Sequence, residues 1–501
     1  MAFVNSVLHW WIKKRIHQIG LFNKYPFDVQ NEVFKKLVTS ARDTEWGKKY
    51  GYSSISSLKD FQSRVPVNSY EDIKPMIDRL RKGEQNILWN EEITWFAKSS
   101  GTTAGKSKFI PVSPAALEEC HFKGGKDMLA LYFDLYPDSE FFEGKALVMG
   151  GSRNILEVSN TTYIEGDLSA ILMHNLPFWA QFKRTPSLTI ALMDEWENKL
   201  ELMAESTMTH NVTSIAGVPS WMLVLLRKVL KKSGMDNLHD LWPNLEVFFH
   251  GGINFEPYRK QYDSIIDPSK MVYSNTYNAS EGFFAIQDQR DCSDLLLMLD
   301  YGIFYEFIPA SEIGNGNYNA VPLEGVKPGV NYAMIISTNA GLWRYMIGDT
   351  VVFTSTNPYR IQITGRVKNF INAVGEELII DNAEKALSIA CAKTDATVNE
   401  YTAAPLFKDD EVKHQWLIEF ERSPENMDFF NEAFDNALKS LNSDYEAKRY
   451  HNLVLKPPVI TSLKKNTFYQ WMKKRNKLGG QNKVPRLSAS REYVDEILKM
   501  N

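Results

Sequence analysis

Cysteine is scarce in this chain of 501 residues: Cys120, Cys292 and Cys391 stand far apart, with no Cys-x-x-Cys pair. That excludes a disulfide framework and fits a reducing compartment, so a cytoplasmic protein is expected. Charge of one sign is also lacking. A net charge of −4 over this length gives no basic field, and nucleic acid is not expected as a partner. No apolar run approaches the length that spans a bilayer, so no integral membrane segment is expected. The N-terminus, with Trp10, Trp11, Lys13, Lys14 and Arg15, lacks an apolar core segment and a small-residue cleavage site, unlike a secretory signal. It reads either as a helix touching a membrane surface or, by preference, as a helix packed on the main domain. Also missing are HExxH, the GxSxG elbow and a strand followed by a GxGxxG helix. These absences point away from metalloproteases, serine hydrolases and Rossmann dehydrogenases.

The length exceeds one ordinary core and predicts two or three domains. Residues 1 to about 90 read as mainly helical, with Val33, Phe34, Leu37 and Val38 at helical spacing in Asn31 to Arg42, and a second helix over Tyr70 to Leu80. Residues 91 to about 365 alternate strands with helices. Lys145 to Gly150, Leu245 to Phe249, Met271 to Thr276, Ala333 to Ser337 and Leu342 to Phe353 read as strands. Met193 to Met208 and Ser220 to Lys232 read as helices. This alternation signals an α/β domain. The texture changes near Arg366. Helices over Asp381 to Cys391 and Pro424 to Leu441, with a strand over Gln415 to Phe420, predict a smaller α+β domain. The expected division is therefore 1–365 and 366–501.

The stretch Ser99-Ser100-Gly101-Thr102-Thr103-Ala104-Gly105-Lys106-Ser107-Lys108 concentrates hydroxyls, glycines and lysines. Glycine lets backbone N–H groups turn onto an anion, and hydroxyls and ammonium groups add donors, which suits a polyphosphate. It is not a Walker loop. Three residues rather than four separate Gly101 from Gly105-Lys106, and Phe109-Ile110-Pro111-Val112 follows as an extended segment, not a helix. The expectation is strand, loop, strand, with the loop either a flap over phosphates or a polar surface turn.

Four further segments carry chemistry. Tyr277-Asn278-Ala279-Ser280-Glu281-Gly282 follows a strand. Its lone carboxylate suits a Mg²⁺ riding on phosphates, its tyrosine suits stacking on a base, and a surface turn explains it as well. In Trp343-Arg344-Tyr345-Met346-Ile347-Gly348-Asp349 the Gly-Asp pair reads as a hairpin turn, or Asp349 as an acceptor for ribose hydroxyls. His250-Gly251-Gly252 ends a strand, where paired glycines permit close approach of a flat ring; His250 itself reads as a core or rim histidine. Gly479-Gly480-Gln481-Asn482-Lys483-Val484-Pro485-Arg486 puts a lysine behind a flexible double glycine.

Taken together and in this order, the segments resemble the adenylate-forming superfamily of firefly luciferase, acyl-CoA synthetases and non-ribosomal adenylation domains. Ser99 to Lys108 matches its Ser/Thr/Gly-rich loop, and Tyr277 to Glu281 loosely matches its Tyr-Gly-x-Thr-Glu motif. Tyr345 to Asp349 matches Tyr-x-x-Gly-Asp. Gly365-Arg366-Val367-Lys368, with Gly375-Glu376-Glu377, matches its hinge segment, and Lys483 its mobile lysine. Within the superfamily the chain is most similar to the acyl-acid amido synthetases first known as auxin-responsive plant proteins, and more closely to their bacterial relatives. It departs from the plant pattern at Met346, where arginine is usual. The lysine of an Asp-Lys-Thr context has no counterpart.

The resemblance implies a large N-terminal adenylate-forming α/β domain and a small mobile C-terminal α+β domain. It implies ATP and Mg²⁺, a carboxylic acid, and an amine, such as an amino acid, as acceptor. A thiol acceptor such as coenzyme A, or a nucleotide-binding switch without turnover, are the alternatives. Catalysis falls to Lys483 and to Glu281, the Mg²⁺ residue. Nucleotide binding falls to Ser99, Ser100, Gly101, Thr102, Thr103, Gly251, Gly252, Tyr277, Ser280, Asp349 and Arg366. Asp349 is expected on the ribose, Gly251, Gly252 and Tyr277 around the adenine, and the turn of the small domain about Arg366–Lys368.

Overall fold

The computed structural model describes residues 2–99, 108–158, 161–176, 178–253, 255–313, 318–367, 370–371, 373–374, 376, 378–408, 411–449, 455–479, 482–488 and 490–500. The N-terminal part is helical, as expected. Pro26–Ala41 starts with a proline in its first turn, where the missing N–H costs nothing. Tyr70–Leu80 begins with Ser69 and Asp72 in a reciprocal cap and buries Ile73, Ile77 and Leu80. The Ala2–Lys24 helix takes the packed reading over its described side chains. Ile12, Ile19 and Phe22 are buried, and Arg15 forks onto Asp127 and Asp300. Among the described residues no helix is long and apolar enough to cross a membrane.

Among the described residues, twelve strands form the main sheet. Its parallel half contains Lys145–Val148, Val212–Gly217, Val247–Gly251 and Val272–Ala279. These strands are covered on both faces, which explains their apolar runs: Val247, Phe248 and Phe249 are all buried. The antiparallel half continues through Gly282–Ile286, Leu295–Leu297, Tyr359–Arg366, Tyr345–Thr356, Asn331–Thr338 and Ile303–Pro309. A four-stranded sheet beside it pairs Trp95–Ser99 with Lys108–Val112, Ser99 lying opposite Lys108, so the 99–108 segment joins two strands as expected.

Two sequence expectations are corrected. Gly348-Asp349 is no hairpin turn. It lies inside the Tyr345–Thr356 strand, where Asp349 pairs with Arg366; the chain reverses later, at Asn357-Pro358. The helix expected from Met193 starts at Trp196, because the Glu195 carboxylate accepts the N–H groups of Glu197 and Asn198 and fixes the start there.

In the C-terminal part, Ile380–Thr394 and Met427–Leu441 cover one face of a sheet of Thr397–Lys408, Glu411–Arg422 and Val459–Leu463, around Trp416, Phe430 and Phe434. From the other face Ala404, Leu417 and Leu463 join Phe468 and Trp471. That cluster runs on into Trp196 and Trp221 of the large α/β part. The two parts therefore share a packed apolar contact beside the cleft they form.

Candidate functional site

A cleft of about 1120 Å³ opens at the carboxyl ends of the parallel strands, where α/β sheets bind ligands. Ser99, Gly252, Tyr277, Ser280, Glu281, Asp349 and Arg366 line it from the large part, and Lys483 from the small part. Segments nearly four hundred residues apart in sequence thus meet at one place.

Asp349 is the hub. Tyr277 donates its hydroxyl hydrogen to Oδ2 at 2.8 Å, and Arg366 Nε donates to Oδ1 at 2.7 Å. The two partners come from different strands of the sheet: Tyr277 from the last parallel strand, Arg366 from the strand paired with Asp349. A carboxylate has about four acceptor sites, so two remain for other donors. The Asp349 charge and hydrogen bond hold the Arg366 guanidinium firmly protonated. Tyr277 is not the open stacking platform expected from sequence. Its ring is 5% exposed and packs on Phe284 at 4.8 Å, and burial with the Asp349 charge pushes its phenol far up.

Glu281 sits beyond Tyr277 at the turn into Gly282–Ile286. Burial raises its carboxyl pKa; the Lys108 cation opposes this, the Asp349 charge adds to it, and Arg366 opposes it. Lys108 also approaches the Tyr345 hydroxyl at 3.4 Å and stands over the Tyr70 ring. It belongs to the site electrostatically, although it was not among the residues assigned from sequence. Its signal was its place at the end of the polar loop. Among the described residues no group of three or more His, Cys, Asp or Glu side chains could hold a metal alone. One carboxylate completed by phosphates is the usual arrangement for Mg²⁺, and Glu281 fits it.

Lys483 donates to the Gly252 carbonyl. Its side chain opens into the cleft, yet the surrounding protein desolvates the ammonium. With the nearby Arg366 charge, that pulls its pKa down to about 8, against the pull of Asp349. Trp221 Nε1 donates to the Asn482 carbonyl at 2.9 Å and holds the segment in place. On its other side Arg486 bonds the Tyr258 hydroxyl at 2.9 Å and pairs with Glu400.

The two glycines differ from the expectation of a ring platform. Gly252 has φ of +80°, and a Cβ there would stand 3.2 Å from Lys483 Nζ, so it leaves room for the lysine. Gly251 does not line the cleft; a Cβ there would lie 2.4 Å from the Thr276 carbonyl of the adjacent strand, so close strand packing requires it. His250 is a rim residue, as read from sequence. It stacks on Phe255 at 4.4 Å, and burial lowers its pKa to about 3. Ser100, Gly101, Thr102 and Thr103 lie outside the described residues, as do Lys368, Gly375, Glu377, Gly480 and Gln481.

This fold is that of the adenylate-forming enzymes. The solved structure of GH3.15 acyl acid amido synthetase matches it with a TM-score of 0.78 at 19% identity, over 95% of this chain and 93% of that one. The GH3 family N-terminal domain matches residues 15–271, its central domain 296–366 and its C-terminal domain 381–492, and the chain belongs to the GH3 family. It is similar to indole-3-acetic acid-amido synthetase GH3.3 of Arabidopsis thaliana, at 24% identity over 91% of this chain and 89% of the relative. It is equally similar, at 24%, to jasmonoyl-L-amino acid synthetase GH3.5 of Oryza sativa subsp. japonica, over 98% of this chain and 97% of the relative. The protein is accordingly an ATP-dependent acyl-acid amido synthetase, which adenylates a carboxylic acid and passes the acyl group to an amine.

Proposed function

We propose that the chain conjugates a small carboxylic acid to an amino acid, with the nucleotide bound between Ser99, Glu281, Asp349, Arg366 and Lys483. The observation that carries this reading is the convergence of these five residues, from both parts of the chain, on one cleft.

In the first step a carboxylate oxygen attacks the α-phosphorus of ATP as the bond to pyrophosphate breaks. Both reactants are anions, so their charge must be neutralised where they meet. Lys483 and Arg366 bring two cations to that place. Mg²⁺ held by Glu281 and the phosphates would supply further positive charge. The hydroxyls of Ser99, Ser100, Thr102 and Thr103 and the N–H of Gly101 donate to the phosphates. The remaining acceptor sites of Asp349 take the ribose hydroxyls. Tyr277 and Ser280 border the base. In the second step the amine nitrogen attacks the activated carbonyl carbon, the carbon–oxygen bond to AMP breaks, and the amine gives up its proton.

Lys483 stands where the amine would approach, so residues 366–501 turn about Arg366–Lys368 relative to 1–365 between the steps. The single-cleft contacts of Lys483, Trp221 and Arg486 are what such a turn would break. A cytoplasmic setting is supported by the three free thiols. The test is to offer the adenylating enzyme an amino acid panel and coenzyme A separately. Amide formation with AMP release on adding an amino acid is expected; acceleration by coenzyme A alone would make the chain a thiol ligase.

A further inference from the structure

The four-stranded sheet ends in an exposed strand. Its order is Lys108–Val112, Trp95–Ser99, Thr161–Gly166, Arg153–Val158, so Arg153–Val158 is an outer strand, paired among the described residues with Thr161–Gly166 alone. Asn154, Ile155, Leu156 and Glu157 are exposed, Ile155 by 52% and Leu156 by 41%. Outer strands are ordinarily blunted by lysine, proline or a bulge. Arg153–Val158 contains neither residue, and its register against Thr161–Gly166 runs unbroken from end to end.

The hydrogen bonds fix which backbone groups face outward. The Asp167 N–H donates to the Ser152 carbonyl at 2.9 Å, whereas the Ile164 N–H donates away from the outer strand, to the Thr94 carbonyl at 2.9 Å. In an antiparallel ladder bonded and non-bonded pairs alternate. Asn154–Glu165 and Leu156–Tyr163 are therefore bonded pairs, and the N–H and C=O groups of Arg153, Ile155 and Glu157 point to the free edge. As alternate residues, these three also share one face of the sheet.

Arg153, Ile155 and Glu157 are complementary to themselves. About a two-fold axis at Ile155, an antiparallel copy sets Ile155 opposite Ile155, Arg153 opposite Glu157 and Glu157 opposite Arg153, each as a bonded pair. A slip of two residues would set a charge against Ile155. A slip of four would set Arg153 on Arg153 or Glu157 on Glu157, so one register suits both the backbone and the charges. Within the chain these charges are unmatched: among the described residues neither forms an ion pair. Arg153 meets His174, whose pKa is lowered by burial and by the Arg153 charge, and Glu157 accepts from the Thr162 hydroxyl at 2.8 Å.

We propose that two copies of this chain associate through the Arg153–Val158 edge, which joins their four-stranded sheets into one continuous sheet across a two-fold axis. The patch is small beside the roughly 1,600 Å² of a standard stable interface, so the dimer is weak and depends on concentration. Arg153, Ile155 and Glu157 stand outside the residues that line the cleft, and the proposal is independent of the adenylation reading.

Analytical ultracentrifugation of the full chain, from about 1 to about 100 µM, tests it. The wild-type mass moves from one chain toward two. Arg153→Glu and Glu157→Arg each set like charges opposite at both ends of the ladder and weaken the dimer about tenfold or more. Mixed in equal amounts, these two variants pair with each other to within about threefold of the wild-type affinity, because every opposition is again of unlike sign. The double variant Arg153→Glu/Glu157→Arg self-associates for the same reason. Ile155→Pro removes the outward N–H, breaks no bond to Thr161–Gly166 and leaves single chains. Thermal unfolding reports that each variant is folded; if Ile155→Pro is not, the charge variants and their mixture decide. A wild type that stays a single chain throughout, a dimer untouched by the changes in folded variants, or a mixture that stays monomeric overturns the proposal. Growth past two chains would mean an open head-to-tail contact and overturns it as well.

Discussion

Replacing Lys483 by alanine removes one of two cations at the reacting centre. Arg366 stays, held by Asp349 at 2.7 Å, so the site keeps part of its positive charge. The lost ammonium is held at the cleft by its bond to the Gly252 carbonyl, on an exposed side chain whose neighbours partly desolvate it. It therefore needs little reorganisation as negative charge builds on the α-phosphate. Removing one such preorganised donor costs about 10²–10³ in rate, or about 3–4 kcal/mol. The second step has no such demand, because the nucleophile is a neutral amine. Single-turnover kinetics separate the two. Adenylation of the acid is followed by pyrophosphate release, and transfer by mixing a synthetic acyl-adenylate with amino acid. Lys483→Ala is expected to slow the first by about 10²–10³ and the second by less than about fivefold. Equal loss in both half-reactions would refute the assignment, since it would mean that Lys483 holds the fold or the nucleotide rather than the first transition state.

The same residue sets a pH dependence. An amine pKa lowered to about 8 makes the ammonium the minor form above that pH, so kcat/KM for adenylation should fall as pH rises through 8, approaching tenfold per unit. A profile flat to pH 10 would contradict it. Asp349→Ala removes the proposed ribose acceptor and the partner of Arg366; the KM for ATP should rise about 10–100-fold, with the acid KM changing less. Unchanged nucleotide affinity would take Asp349 out of the site. Arg344 forks onto Glu306 at 3.0 Å deep in the core and also donates to the Val65 carbonyl at 2.7 Å. Arg344→Met strands a buried carboxylate and should cost about 3–5 kcal/mol in urea unfolding, with most of the loss recovered when Glu306→Leu is added.

The residues that meet in the cleft stood out in the sequence because they sit in short segments of unusual composition, whose order along the chain resembles a known arrangement. Ser99 and Glu281 stand at strand ends, Asp349 inside a strand and Lys483 in a loop. What a linear reading could not supply is which neighbour each group meets. The Tyr277 hydroxyl goes to Asp349 because two strands apart in sequence bring them within 2.8 Å, and that contact turns an expected stacking platform into a positioning group. Gly252 was read as room for a flat ring, whereas its positive φ makes room for Lys483. Gly348-Asp349 looked like a turn because the pair is common in turns. In the fold the pair lies within the strand, with Asp349 opposite Arg366, and the pairing continues past it through an irregularity at Thr350–Val351. The share of the small part in the large part's apolar cluster was equally hidden, since Trp196 and Trp471 are far apart in sequence.

Labelled pyrophosphate offered to the enzyme with ATP, with and without carboxylic acids and with no amine present, tests the account most directly. The account predicts that label enters ATP only when a suitable acid is added. Cleavage of ATP to ADP and phosphate, or label entering ATP without acid, would contradict it.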